Sequence, residues 1–342
     1  MKLRSLEELA PAGKRVVVRV DWNVTLGKAL AVVDDTRIKR TQRTIEWLLE
    51  NEAKQVVLVS HLGKPGGKIV PLLSLAPVAQ YAAKLLARRI EIFSEPEVVP
   101  HAQLSILENV RFWEGEESNE PEFAKRLAQM GEAYVNEAFG ECHRSSASIV
   151  GIPKLLPAFA GFNLVSEVEN ILGAIANPAR PFVVVMGGAK VVDKLKLLET
   201  LSTIADAILL GGKLANEFVE RNIRLSGSAK VFVPIEGSEI FDIGERTSAI
   251  YEAEIAKAKT IVWNGPMGKV ESVEYRGGTH RIYEAIILNE DAFVVVGGGD
   301  TLSAIREERH LERIDFVSTG GGAMLSLIER GTLTGIEQLR KV

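Results

Sequence analysis

The sequence predicts an α/β protein with two domains, each built on a parallel β-sheet, and three observations lead to this prediction. Short β-branched runs alternate with segments of helical period along most of the chain, which is typical of strands joined by crossover helices. The chain has 342 residues, which suits two domains of roughly 100–200 residues each. The residues that follow the strands are polar or cationic in the first half and mostly glycine in the second.

In the first half, the apolar runs predict strands at 15–20, 55–60, 104–107 and 133–136. Segments of helical period lie between them, near 36–52, 75–88 and 120–130. Asn119 is expected to cap the last of these helices, because Glu122 follows three residues later and Pro121 suits the first turn.

In the second half, the apolar runs predict strands at 182–186, 207–210, 260–263, 292–296 and 315–318. A helical segment within 158–181 ends before Pro178 and marks the joint between the halves. We therefore predict an N-terminal domain at 1–158, a connecting helix at 159–178 and a C-terminal domain at 179–328.

Composition excludes several classes of protein. The net charge of −4 argues against a nucleic-acid partner, which usually requires a basic surface. No apolar run is long enough to span a membrane, and the N-terminus lacks the apolar core of a secretory signal. The one cysteine, Cys142, excludes an internal disulfide and a cluster of thiolate metal ligands. These features predict a cytoplasmic protein.

Glycine clusters in the second half predict phosphate binding. The segments "VVVGGGDTLSAI" at 294–305 and "FVSTGGGAMLSLI" at 316–328 each run from a strand into a helix. Glycine allows the backbone to approach a ligand closely, and the N-terminus of the helix attracts anions. A tight turn is the alternative for each cluster alone. A dinucleotide-binding turn is disfavoured in the first, because Leu302 stands where G-x-G-x-x-G requires a small residue.

The segment "GGAKVVDK" at 187–194 joins a strand to a helix without the spacing of a Walker A loop. Lys190 and Lys194 lie on one helical face if the helix begins near Ala189. That face is either solvated or turned toward an anion. Two like charges on one face repel each other, and an anion bound between them would offset this repulsion, which favours the second alternative. Asp300, after three glycines, is either a helix N-cap or a ligand of Mg²⁺.

Polar residues after the first-half strands predict a site for an anionic ligand. Arg19, Asp21 and Asn23 alternate and point to one side if the first strand extends this far. Cations follow the other strands or begin the next helix, and each one alone could instead be a surface or structural residue. These cations are Arg37, His61, Lys64, Arg111 and Arg144.

Taken together and in this order, nine motifs resemble the phosphoglycerate kinase family. They are "RVDWNV", "DDTRI", "SHLGKP", "LENVRF", "YVNEAFGECHRSSASIVG", "GGAKVVDK", "WNGPMG", "GGGDTLSA" and "STGGGA". The resemblance implies two Rossmann-like domains joined by a hinge helix, with a ligand cleft between them and a tail at 329–342 that returns to the N-terminal domain. It also implies a monomeric glycolytic enzyme that uses Mg²⁺ to transfer a phosphoryl group between 1,3-bisphosphoglycerate and ADP, giving 3-phosphoglycerate and ATP.

By position, the resemblance assigns roles to residues of both domains. In the N-terminal domain, 3-phosphoglycerate would bind to Asp21, Asn23, Arg37, His61, Lys64, Arg111 and Arg144, with Arg19 and His143 nearby. In the C-terminal domain, the nucleotide would bind to Gly187, Lys190, Lys194, Gly211, Asn264, Pro266, Glu271, Gly298, Gly299, Asp300 and Thr301. Asp300 would bind Mg²⁺. The catalytic positions would be Arg37, Lys194 and Gly321.

Several positions depart from the family pattern. Lys64 stands where arginine is usual and lacks its bidentate fork. Lys213, Glu217, Lys269 and Val270 also differ, and the segment 220–244 is shortened, which leaves nucleotide preference open. Cys142 is interpreted as a packing residue, with an oxidation-sensitive site as the alternative.

Two other functions remain to be distinguished from an active kinase. A non-catalytic phosphate-binding or nucleotide-binding relative is disfavoured, because binding alone would not require Arg37, Lys194 and Asp300 together. A nicotinamide-dependent dehydrogenase would explain none of the first-half cations.

Overall fold

The apolar β-branched runs form the strands of two parallel sheets. The computed structural model describes residues 1–188, 191–236, 241–305 and 311–341, apart from the side chain of Asp193. The chain divides into two units, with residues 1–167 and 332–342 in unit 1 and residues 168–331 in unit 2. Within the described residues, each unit contains one six-stranded sheet in which every strand pair is parallel.

The sheet of unit 1 has the strand order β3-β4-β2-β1-β5-β6. Its strands are β1 Arg15–Arg19, β2 Gln55–Val59, β3 Glu91–Phe93, β4 Leu104–Leu107, β5 Ala133–Asn136 and β6 Ala158–Ala160. The four strands predicted from the sequence are confirmed. The sequence reasoning missed β3 and β6, because each has only three residues and neither forms a β-branched run.

Four of the described α-helices of unit 1 are α1 Thr36–Glu50, α2 Ala76–Leu85, α3 Glu114–Ser118 and α4 Pro121–Ala128. Of these, α1 and α2 contribute apolar residues to the core beside the sheet. Ile38, Ile45 and Leu48 of α1 are fully buried against the strands, because residues spaced three, four and seven apart share one face of a helix.

The prediction that Asn119 caps the helix beginning near 120 is wrong. Glu120 is the N-cap of α4, without a side-chain hydrogen bond, and Pro121 occupies the first turn as predicted. Asn119 instead ends α3 in the left-handed conformation, with φ 54° and ψ 46°. Asparagine tolerates this conformation better than most residues.

The sheet of unit 2 has the order β12-β11-β10-β7-β8-β9. Its strands are β7 Phe182–Met186, β8 Ala207–Leu210, β9 Lys230–Phe232, β10 Thr260–Asn264, β11 Phe293–Gly297 and β12 Phe316–Val317. Its helices are α6 Leu195–Ile204, α7 Gly212–Glu220, α8 Glu245–Ile255, α9 Gly277–Leu288, α10 Gly299–Ile305 and α11 Gly321–Arg330. Strands β7, β8 and β10 are buried along their whole length, as expected of a parallel sheet with both faces covered.

Two further helices lie near the boundaries between the two units in the sequence. The helix α5, at Phe162–Ala176, lies where the sequence predicts one, and the division between the units falls within it. Near the C-terminus, α12 at Thr334–Glu337 belongs to unit 1, where the N–H of Gly335 donates to the carbonyl of Cys142 at 2.9 Å. Among the described helices, none is long and apolar enough to cross a membrane.

Candidate active site

An ion pair stands at the carboxyl end of β1. Asp21 follows the strand and is buried, and its Oδ2 lies 2.8 Å from Nη1 of Arg37, in the first turn of α1. The same Nη1 donates to the carbonyl of Asn23 at 3.3 Å. Because β1 ends at Arg19, the predicted strand alternation does not extend to Asp21 and Asn23. The ion pair brings Asp21 and Arg37 together instead.

Side-chain amides and a guanidinium position the loop that follows β2. Oδ1 of Asn23 accepts a hydrogen bond from the N–H of Gly63 at 2.9 Å, and Nη1 of Arg111 donates to the carbonyl of Gly63 at 2.9 Å. Nδ2 of Asn109, which is buried, donates to the carbonyl of Leu62 at 2.7 Å. Residues after β1, β2 and β4 therefore meet at one edge of the sheet, as expected where parallel strands end together. Lys64, in the same loop, is exposed.

His61 lies at this edge as a neutral imidazole. Its Nδ1 is 3.1 Å from Nη2 of Arg19, and since arginine only donates, Nδ1 accepts and the ring hydrogen is on Nε2. Burial, followed by the charges of Arg19 and Arg111, holds the pKa of His61 well below its usual value.

The orientation of His61 depends on Arg19, which is fully buried. The Nε of Arg19 donates to Oγ of Ser148 at 2.8 Å, and the guanidinium also donates to the carbonyl of Val20. Ser148 donates in turn to Oε1 of Glu116 at 2.5 Å. Arg19 thus holds the imidazole through a chain of hydrogen bonds in the interior of unit 1.

The carboxylate of Glu141 joins several of the predicted cationic residues. Its Oε2 lies 2.7 Å from Nη2 of Arg111 and 3.4 Å from Nε of Arg144, and its Oε1 lies 3.5 Å from Nε2 of His61. Burial lowers the pKa of Arg111, and the charge of Glu141 opposes that shift. The sequence reasoning missed Glu141, although the residue stands within "GECHR". His143 and Arg144, in the same motif, are both predicted at or near the substrate site.

Cys142, the next residue, is a packing residue. It is fully buried, its Sγ donates to the carbonyl of Ala138 at 3.5 Å, and burial raises its pKa. A buried thiol with a raised pKa forms little thiolate and is inert to oxidants. The structure therefore favours packing over an oxidation-sensitive site.

On unit 2, Lys194 is positioned by a turn and not by a helical face. A 3₁₀ turn at Val191–Lys194 precedes α6, of which Lys194 is the N-cap. Ala189, where the condition for a shared helical face places the start of the helix, lies outside the described residues. Nζ of Lys194 donates to the carbonyl of Gly187 at 3.0 Å. Burial lowers the pKa of Lys194 to about 8, against the opposing charge of Asp300. Lys190 lies outside the described residues.

Glu217, a residue that departs from the family pattern, supports this turn. Its Oε2 accepts a hydrogen bond from the N–H of Val191 at 2.9 Å, and its Oε1 lies 3.7 Å from Nζ of Lys213. Two of the departures noted in the sequence are therefore paired with each other, and one of them orients the turn that contains Lys194.

The glycines that follow the strands of unit 2 have two different environments. A Cβ at Gly187 would lie 1.9 Å from the carbonyl oxygen of Pro266, and one at Gly321 would lie 2.5 Å from Cα of Gly298. At Gly211, a Cβ would lie 2.6 Å from Sδ of Met267. These loops pack on one another without room for a side chain. Gly299, by contrast, has no neighbouring atom within 4 Å of a Cβ.

Hydrogen bonds between the loops fix their relative positions. Nδ2 of Asn264 donates to the carbonyl of Gly297 at 2.9 Å, and Oγ1 of Thr301 accepts from the N–H of Gly265 at 2.7 Å. Asn264 and Thr301 are both buried. Gly298, with φ +106°, has a backbone conformation that other residues rarely adopt. Glu271, also predicted at this site, is exposed.

Asp300 is the candidate ligand for a metal ion. Its residue is exposed in the first turn of α10, which begins at Gly299, so Asp300 is not the N-cap. Among the residues that the structure describes, no group of three or more His, Cys, Asp or Glu side chains could hold a metal. One exposed carboxylate suits Mg²⁺ bound mainly through nucleotide phosphates, for which one or two carboxylates are enough.

Comparison with known proteins decides the family. The family model described as phosphoglycerate kinase matches residues 6–231 and 223–331. The chain belongs to the phosphoglycerate kinase family. It is therefore a kinase, a transferase of glycolysis, and the predicted resemblance is confirmed. The family membership also supports catalysis over a non-catalytic binding role.

The chain is similar over almost its whole length to phosphoglycerate kinases of known sequence and to solved structures of such enzymes. A phosphoglycerate kinase of Thermomicrobium roseum is 38% identical, covering 98% of this chain and 99% of its own length, and one of Chloroflexus aggregans is 37% identical, covering 99% of each. The phosphoglycerate kinase structure from Coxiella burnetii has a TM-score of 0.86 at 33% identity, over 98% of each chain. The one from Pyrococcus horikoshii has a TM-score of 0.85 at 29% identity, also over 98% of each.

This phosphoglycerate kinase chain is a shortened form. The alignment with the Chloroflexus aggregans relative spans 398 positions, against 342 residues here, so the relative has segments that this chain lacks. The family model matches in two parts, which overlap at residues 223–231. This overlap lies inside the segment 220–244, which the sequence analysis describes as shortened.

Proposed function

We propose that the chain catalyses Mg²⁺-dependent phosphoryl transfer between 1,3-bisphosphoglycerate and ADP, giving 3-phosphoglycerate and ATP. The observation that supports this most is the convergence of His61, Arg111 and Arg144 at one edge of the unit 1 sheet. A buried arginine, an exposed arginine and a neutral imidazole N–H gathered from separate loops offer several hydrogen-bond donors, which suits a small molecule with several anionic groups.

Unit 1 binds the phosphoglycerate in this proposal. Arg111, Arg144, Lys64 and the Nε2–H of His61 bind anionic groups of the substrate. Asp21 and Asn23 contact its hydroxyl and carboxylate region, and the Asp21 carboxylate orients the Arg37 guanidinium at 2.8 Å. Arg37 compensates charge at the reacting phosphoryl group.

Unit 2 binds the nucleotide. Lys194 contacts the phosphates and accompanies the transferred group, and the backbone around Gly298, Gly299 and Gly321 donates N–H groups to phosphate oxygens. Asn264 and Thr301 hold these loops in place through their hydrogen bonds. The remaining proposed contacts with the nucleotide are made by Gly187, Lys190, Gly211, Pro266 and Glu271, and by Asp300 through Mg²⁺.

The mechanism requires positioning and charge compensation and no covalent enzyme intermediate. In the direction of ATP synthesis, the terminal phosphate oxygen of ADP attacks the acyl phosphate, and the 3-phosphoglycerate carboxylate leaves in line. Arg37 and Lys194 balance negative charge on the equatorial oxygens. When bound, Mg²⁺ supplies additional charge compensation to the nucleotide phosphates, and Asp300 is the residue that holds it.

ATP formation from 1,3-bisphosphoglycerate, ADP and Mg²⁺ tests this proposal. Loss of a preorganised cation typically costs about 100-fold or more in kcat, so Lys194→Ala should reduce kcat by about this factor. Lys196→Ala, which removes an exposed lysine two residues away, is the matched control and should retain wild-type kcat. Absence of turnover in the folded wild-type protein contradicts the proposed function, whereas equal rates in both variants contradict the role of Lys194.

Separate binding measurements test the division of roles between the units. We expect Arg37→Ala to weaken binding of 3-phosphoglycerate while leaving the Kd for ADP unchanged, and Lys194→Ala to do the reverse. Calorimetric titration with each ligand alone measures both. An Arg37→Ala variant that loses ADP binding contradicts this assignment.

The family also leads us to propose a monomer that works in the cytoplasm. Light scattering coupled to size-exclusion chromatography tests the first point, since a monomer elutes with the mass of one chain at all concentrations.

A further inference from the structure

We propose that Glu141 determines the affinity of unit 1 for anionic ligands, because its carboxylate occupies the cationic groups that the phosphoglycerate must engage. This inference rests on the proposed function and deepens it. It adds Glu141 as a second carboxylate, beside the predicted Asp21, to the site proposed for the phosphoglycerate.

The contacts of Glu141 carry the inference. Both carboxylate oxygens face residues of the candidate site, with Arg111 at 2.7 Å, Arg144 at 3.4 Å and His61 at 3.5 Å. Glu141 is itself more than nine-tenths buried. An arginine that already donates to a buried carboxylate has fewer N–H groups available for a second anion.

The carboxylate of Glu141 leaves one buried donor of this site, the Nε2–H of His61, without a hydrogen bond. The Nε2 of His61 is buried and has no hydrogen-bond partner, and the 3.5 Å to Oε1 of Glu141 is beyond the usual range of such a bond. Because Nδ1 accepts from Arg19, Nε2 carries the hydrogen and is a donor. Buried donors are normally paired, so this N–H indicates a place for an acceptor atom of a ligand.

A ligand anion at this place meets Glu141 as a competitor. An oxyanion that accepts from His61 and Arg111 lies close to the carboxylate, and the two negative charges repel each other at low local dielectric. Binding therefore requires Glu141 to withdraw from Arg111 or to share it. Removal of the Glu141 charge should strengthen binding of the anion, which is the reverse of what removal of a supporting residue would do.

Glu141→Gln tests this, because glutamine keeps the shape and one carbonyl acceptor for Arg111 while removing the charge. We expect the Kd for 3-phosphoglycerate, measured by calorimetry, to fall about tenfold, the lower end of the effect of one charged hydrogen bond. The Kd for inorganic phosphate should fall as well. In turnover assays, the KM for 3-phosphoglycerate should fall and the KM for ATP should not change.

Two variants serve as controls. Glu141→Asp retains the charge and should not strengthen binding. Glu117→Gln removes a half-exposed carboxylate whose Oε1 lies 3.5 Å from Nε of the same Arg111, and it should shift the Kd less than Glu141→Gln, because an exposed charge is screened by water.

The outcomes separate this inference from the proposed function. If the wild-type protein forms ATP but Glu141→Gln, shown to be folded by its thermal melt, binds 3-phosphoglycerate equally or more weakly, Glu141 only supports Arg111 and the inference is wrong. If the folded wild-type protein neither binds 3-phosphoglycerate nor forms ATP, the proposed function itself is wrong.

Discussion

Thr44, in α1, donates its hydroxyl hydrogen to the buried carboxylate of Glu137, which follows β5. The same hydroxyl oxygen accepts from the N–H of Phe162 at 3.1 Å, and the N–H groups of Asn163 and Leu164 donate to the carboxylate at 3.3 Å. The first turn of α5 is therefore attached to the unit 1 sheet through one carboxyl group. Burial raises the pKa of Glu137 to about 7.

This raised pKa makes stability depend on pH. A carboxyl that binds its proton more tightly in the folded state than in the unfolded state destabilises the fold as pH rises from about 4.5 to about 7. Glu137→Gln mimics the protonated form and lacks this dependence. Between pH 5 and pH 8 we expect wild type to lose on the order of 2 kcal/mol relative to the variant, measured by urea unfolding.

A matched substitution separates Glu137 from the general effect of pH. Glu50→Gln removes an exposed carboxyl of α1, and its unfolding should follow the wild-type pH curve. Parallel curves for wild type and Glu137→Gln would show that Glu137 does not titrate in this range.

Gly161, just before α5, has no space for a side chain, because a Cβ would lie 2.1 Å from Oε1 of Glu137. We expect Gly161→Ala to destabilise the protein by about 1–3 kcal/mol through overpacking. Gly173→Ala, on α5 where nothing lies within 4 Å of a Cβ, should instead stabilise it by roughly 0.5–1 kcal/mol. Thermal and urea unfolding of the two variants measure this, and a Gly161→Ala variant as stable as wild type would contradict the close contact.

Nucleotide binding should take up protons near pH 8. Lys194, with a pKa of about 8, is only partly charged there, and a bound phosphate stabilises the ammonium form and raises that pKa. Calorimetry with ADP in two buffers of different ionisation enthalpy should reveal an uptake of about half a proton per site. Lys194→Arg, always charged, should show none, and equal uptake in both proteins would assign the proton to another group.

The glycines of unit 2 should divide into two classes by experiment. Gly187→Ala forces a contact with the carbonyl of Pro266 and should lower stability, with loss of nucleotide binding as a consequence. In Gly299→Ala the added methyl group meets no protein atom, so the melting temperature should not change. The methyl group should weaken ADP binding, because it keeps the phosphates from approaching the backbone closely. A Gly299→Ala variant that binds ADP as wild type does would remove this residue from the proposed phosphate site.

The sequence identifies the long buried strands because their pattern is local. The run "FVVVM" that forms β7 is apolar on both faces, which is what a central parallel strand requires. The strand β9 at Lys230–Phe232 has three residues and one charge, so nothing local distinguishes it from a loop. Its place depends on pairing with β8.

The sequence proposes residues for the candidate site, but it does not give their arrangement. The order of the motifs predicts His61 and Arg111 at the site. Only the fold shows that the hydrogen bond from Arg19 sets the tautomer of His61. It also shows that the carboxylate of Glu141 contacts Arg111. Glycine spacing leads us to expect phosphate-binding loops, and that expectation stays a prediction. Whether a glycine faces protein or open space depends on tertiary contacts, as Gly187 and Gly299 show.

The placement of α12 has a consequence for how the chain folds as it is made. Because residues 332–342 belong to unit 1 and all of unit 2 lies between them and the rest of that unit, unit 2 is continuous in sequence and unit 1 is not. During synthesis, unit 2 has its full set of residues before unit 1 does. The unit that emerges first from the ribosome is thus the one completed last, when Gly335 reaches the carbonyl of Cys142.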